Sequence, residues 1–137
     1  MKLHEYHARS LEATLSRADE AIHRMERLLT NAGQDGAVRK IENTLSKESR
    51  EALLGQLRAL QVILAAMAES FSLEAHPLDI RRVLDAELST LWVLFEDCRP
   101  VRMKGYGQKF PTEASAALEE TVEKLLAQVV TMRERVD

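Results

Sequence analysis

A chain of 137 residues, 45% hydrophobic and 30% charged, has the size of one domain built on one apolar core. Nineteen basic and 22 acidic residues leave a formal net charge of −3, which removes any global electrostatic case for nucleic acid or an anionic membrane. The single cysteine, Cys98, excludes an intramolecular disulfide and a cysteine zinc cage, and it suits a reducing cytoplasm.

Aromatic residues are scarce, so the core is expected to be Leu, Ala, Val and Met. The opening MKLHEYHARS has no apolar stretch of the kind that marks a secretory leader. The longest wholly apolar run, Val62 to Ala68, is far too short to span a bilayer. A cytoplasmic location is the expectation.

The first helix is expected from about Leu3 to Thr30. Its stripe is Leu11, Leu15, Ala18, Ile22, Met25 and Leu29, at alternating four- and three-residue steps. Gly33 is the expected left-handed cap that stops it. Val38, Ile41 and Leu45 then fall at helical spacing, which predicts a short extra helix from about Ala37 to Asn43 with Asp35 at its cap. The alternative is one helix running unbroken from residue 35 to residue 73.

Ser46 is the expected N-cap of the second helix, which continues to about Leu73 with the stripe Leu53, Leu57, Leu60, Leu64, Met67 and Phe71. Gly55 costs this helix about 1 kcal/mol relative to Ala unless a neighbouring helix approaches there. Pro77 suits the first position of the third helix. Its stripe is Ile80, Leu84, Leu88, Leu91, Phe95 and Cys98, and Pro100 ends it. The run Leu91 to Phe95 is apolar on every face, which predicts burial all round, within the chain or against a second subunit. The fourth helix is expected from Thr112 to about Arg135, with the stripe Leu118, Val122, Leu125, Val129, Met132 and Val136. Leu28, Leu54, Ile63, Val83, Trp92, Leu94 and Leu126 lie off these narrow stripes and widen them. Together the stripes predict an all-α fold, a single antiparallel up-and-down four-helix bundle over residues 1–137.

No constellation dictates a chemistry. The connection from Arg99 to Pro111 carries Arg99, Arg102, Lys104 and Lys109 with no acidic residue, and Gly105 and Gly107 flank Tyr106. It leads into a helix N-terminus, so it is a candidate anion or nucleotide site with Tyr106 as a stacking ring. The plain alternative is a solvated connection whose apolar members plug the end of the bundle. No phosphate-loop consensus is present.

Glu20 and His23 share a helical face, and His4 and His7 lie one turn apart, which makes helix 1 a candidate metal-binding element. There is no second Glu-x-x-His, so no metal and no cofactor is expected. Arg17 and His23 resemble the Arg-then-His spacing of some helical ribonucleases. With so many arginines the pair arises easily by chance, and His23 falls on a solvated face. Cys98 reads as a half-buried, inert thiol, and no catalytic residue is expected.

The leading reading is therefore protein–protein interaction, with a homodimer as the expected assembly and Trp92 and Leu94 as the contact, Trp being enriched among binding hot spots.

Overall fold

Four long helices form the chain, α1 (Glu5–Thr30), α2 (Lys47–Ser70), α3 (Ile80–Glu96) and α4 (Thr112–Val136), with a short 3₁₀ turn over Pro100–Met103. The computed structural model describes residues 1–30, 35–103 and 107–137. Among these there is no strand, and the all-α, four-helix expectation holds. The expected cap at Gly33 lies outside the described residues. The chain divides into two compact units, Met1–His76 and Pro77–Asp137.

In the first unit α1 and α2 run antiparallel. The Met1 ammonium donates to the carbonyl of Ser70 at 2.6 Å, which puts the start of α1 beside the end of α2. At the opposite end Met25, Leu28 and Leu29 share a hollow with Leu53, Leu57 and Leu60. In the second unit Arg99 reaches Glu119, and Arg133 reaches Ser89, so α3 and α4 are antiparallel as well.

Helix boundaries follow from local hydrogen bonding. The Ser46 hydroxyl accepts the Ser49 amide and starts α2, as the sequence leads one to expect. α2 stops with Leu73 N–H donating to Ala68 and Ser72 N–H to Glu69, the paired bonds of a Schellman motif. Ser72 occupies its left-handed position with φ 51°. Glycine there would relieve the Cβ conflict, so Ser72→Gly is expected to raise the urea midpoint slightly.

Two expectations are corrected. The short helix near residues 37–43 does not form. The Asp35 carboxylate accepts the Ile41 amide at 3.1 Å, and Gly36 N–H donates to the Arg39 carbonyl at 2.8 Å. These bonds stand in place of the helical pattern, and Val38 is fully exposed, so no apolar burial drives a helix there. The same non-helical segment rules out a continuous helix from 35 to 73. The third helix starts at Ile80, not Pro77, because the Asp79 carboxylate accepts the Arg81 amide and sets the cap three residues later.

The seams also turn slightly from their expected register. The buried apolar residues are Ile22, Leu57, Leu88, Val122, Leu126 and Val129. On α2 the half-buried Leu54 sits in the seam, while Leu53 and Leu60 are exposed. On α4 Leu126 is buried where Leu125 was expected. Gly55 faces open space, with nothing within 4 Å of an added Cβ. Gly55→Ala is therefore expected to stabilise the protein by about 0.5–1 kcal/mol, read from urea unfolding. A loss of stability would mean that another helix does pass close to that position.

Candidate functional site

α3 carries two apolar stripes side by side. Leu88 is buried and Trp92 and Phe95 are half-buried, at four- and three-residue steps, in the seam with α4. Next to that seam Ile80, Leu84, Leu91 and Leu94 repeat in helical register, and all four are exposed. On α4 Leu125 and Met132 are likewise exposed beside Leu126, Val129 and Arg133.

Handedness decides where these stripes lie. Each exposed residue precedes a seam position by one, Leu91 before Trp92, Leu94 before Phe95, Leu125 before Leu126 and Met132 before Arg133. One residue is a turn of about 100° in the same sense on every α-helix. Two antiparallel helices whose seams face each other therefore show such stripes on the same flank. The second unit thus presents one flank on which the exposed apolar residues of both helices lie, with Glu87, Thr121 and Gln128 among them.

Trp92 and Leu94 do not share a face. Positions two apart on a helix point to nearly opposite sides. Trp92 is half-buried along the seam, whereas Leu94 is 53% exposed on the apolar flank. Cys98 follows Leu94 by one turn and is exposed, where the sequence reading had it half-buried. Its thiol donates to the Leu94 carbonyl at 3.4 Å.

The basic connection is organised differently from an anion site. The Arg99 guanidinium donates to Glu96 at 2.8 Å, to Glu119 at 2.7 Å and to Glu123 at 2.8 Å. Its side chain is only 20% exposed. Three carboxylates hold its charged form still more firmly than usual, chiefly through the bonds to Glu96 and Glu123. Arg99 therefore clasps the end of α3 to α4 and has no free fork for a phosphate. Lys104 and Tyr106 lie outside the described residues. Arg102 and Lys109 are exposed. Lys109 lines a hollow of about 400 Å³ together with Met103, Phe110, Ser115 and Glu119.

No protein-family model matches the sequence, and neither a curated protein nor a solved structure matches it.

The imidazoles are occupied locally. His23 Nδ1 lies 2.7 Å from the Asp19 carbonyl, and His4 Nδ1 accepts the Tyr6 amide at 3.3 Å. Among the described residues no group of three or more His, Cys, Asp or Glu is placed to hold a metal ion. His76 instead meets Glu12, Nε2 to Oε2 at 2.6 Å, and the other Glu12 oxygen accepts the Glu74 amide at 3.1 Å. This clasp ties the segment after α2 onto α1. Sequence reasoning missed it because its partners are 64 positions apart and neither belongs to a local motif.

Both clasps have an acid signature. The Glu74 amide and then His76 hold the Glu12 carboxyl below the ordinary glutamate range, and Arg99 does the same for Glu96. A carboxylate with a depressed folded pKa adds stability that is complete above its unfolded value and is lost as pH falls through the folded one. The thermal midpoint is thus expected to drop between about pH 5 and pH 3. Glu12→Gln and Glu96→Gln should each flatten that drop, as followed by circular dichroism.

Proposed function

We propose that the protein acts through protein–protein interaction and pairs with a second copy of itself across the apolar flank of the Pro77–Asp137 unit. The exposed row Ile80, Leu84, Leu91 and Leu94 on α3, interrupted by Glu87, supports this reading, with Leu125 and Met132 of α4 on the same side. Apolar area of this kind gains free energy when it leaves water, at about 25 cal/mol per Å². Leu94 is the central contact in this reading, and Trp92 supports it from the seam behind.

A cytoplasmic setting belongs to the same proposal, since a single exposed thiol suits a reducing compartment. α2 is long and apolar enough to cross a membrane by length and composition, and little of that stretch is buried; its packing along α1 through Leu54 and Leu57 supports the reading without a membrane. The anion-binding reading has less support, because Arg99 is engaged by Glu96, Glu119 and Glu123. The metal reading on helix 1 has none from the positions of His4 and His23.

The lone Cys98 offers a direct test, being exposed one turn from Leu94. One batch labelled there with a fluorescent donor and another with an acceptor are mixed. Energy transfer that is lost on dilution is expected. No transfer at any concentration would refute pairing across this flank.

A further inference from the structure

A hollow of about 500 Å³ opens in the Met1–His76 unit, between α1, α2 and residues 41–45 that precede α2. Met25 and Leu28 of α1 and Leu53 and Leu60 of α2 wall it, and each stays between 38 and 47% exposed although it faces other apolar side chains. The joining segment adds Ile41 and Leu45. Two bonds shape that segment, Ile41 N–H to the Asp35 carboxylate and Leu45 N–H to Asn43 Oδ1, each 3.1 Å. Among the described residues the polar lining is Glu42, Asn43, Thr44 and Gln56, so the charge there is negative and none of them is basic.

We infer that this hollow is a binding site for a small amphiphile, an alkyl or acyl chain whose head is uncharged or cationic. The size falls within the range of about 300–1,000 Å³ in which proteins hold small ligands, and a mostly apolar wall with a few polar groups at one side is the usual composition of such sites. The chain lies among the leucines, where its burial displaces water from surface that the fold itself leaves wet. The head meets Glu42, Asn43 and Thr44. A fatty-acid carboxylate would face Glu42 with no counter-charge, whereas an amine or a neutral hydroxyl or amide head finds acceptors and donors. The site is in the other unit from the proposed pairing flank and does not depend on that reading.

Nile red titrated into the full-length chain tests it, with dodecyltrimethylammonium and dodecanoate as competitors below their micelle-forming concentrations. Saturable binding of one dye per chain is expected, displaced several-fold more readily by the cation than by the carboxylate. Leu28→Asp and Leu53→Asp should each weaken binding at least about tenfold, which corresponds to 1.4 kcal/mol. Both positions are partly exposed, and unchanged helical circular dichroism would show that the fold persists. Val62→Asp, an exposed apolar position outside the hollow, should bind as wild type does. Glu42→Lys should reverse the preference between the two competitors. The inference fails if binding does not saturate, or if Val62→Asp weakens it as much as Leu28→Asp does. It also fails if dye uptake per chain falls as protein concentration rises, since a second copy would then fill the hollow. Equal displacement by both competitors, unaltered in Glu42→Lys, would overturn the assignment of the head group.

Discussion

Leu126→Ala lowers the unfolding free energy by about 2–5 kcal/mol, while Leu125→Ala, at the neighbouring position, costs well under half of that. Leu126 is 4% exposed in the α3–α4 seam, and Leu125 is 36% exposed on the flank. The chemistry removed is the same, so the difference reports only which leucine leaves a cavity behind. Urea unfolding at low protein concentration measures both, with a shifted midpoint and an unchanged slope as the sign of a pure stability loss. Equal costs would mean that the seam of α4 lies between the two positions and that the flank is not a separate surface. Against a total stability of about 5–15 kcal/mol, the larger loss takes the protein close to unfolding at body temperature.

Leu84→Glu combined with Leu94→Glu is expected to abolish the proposed pairing. Both side chains are already exposed, at 43% and 53%, so the single chain keeps its fold. Pairing would bury two uncompensated carboxylates on each copy, a penalty of about 2–5 kcal/mol or more for each charge left unpaired. The dissociation constant is expected to rise by at least about a hundredfold. Sedimentation velocity reads this directly. Pairing of undiminished strength in the double variant would move the interface elsewhere on the protein.

Much of the fold was legible because helix period and capping are local properties. Ser46 shows it, a short polar side chain whose oxygen accepts the amide three residues ahead, whereas Asp79 caps α3 where Pro77 was expected to open it. Seam register was harder. Leu125 and Leu126 are both leucines, and only the partner helix decides which of them is covered. The same ambiguity let Leu53 and Leu60 pass for core when Leu54 sits in the seam. Asp35 misled in another way. Its carboxylate was read as the cap of a helix, but it bonds an amide six residues away and holds a turned, non-helical segment.

The candidate site was legible only in outline. Of the exposed flank only Leu94 was read as lying off the stripes; Ile80, Leu84, Leu91, Leu125 and Met132 were read as core, and Trp92 and Leu126 lie in the seam instead. Pairing Trp92 with Leu94 overlooked that two positions on a helix point to opposite sides. The basic residues between Arg99 and Lys109 looked free because that stretch itself holds no acidic residue, although Glu96 stands only three positions before Arg99. Glu96 engages Arg99 from the end of α3, while Glu119 and Glu123 reach it from the next helix. Glu12 and His76 were equally invisible, since only the return of α2 along α1 brings them together.

Light scattering coupled to gel filtration, at two protein concentrations well apart, tests the central claim most directly. The account predicts a species of twice the 15.5 kDa chain mass at the higher concentration, giving way to the single chain on dilution. A mass of 15.5 kDa at both concentrations would contradict it.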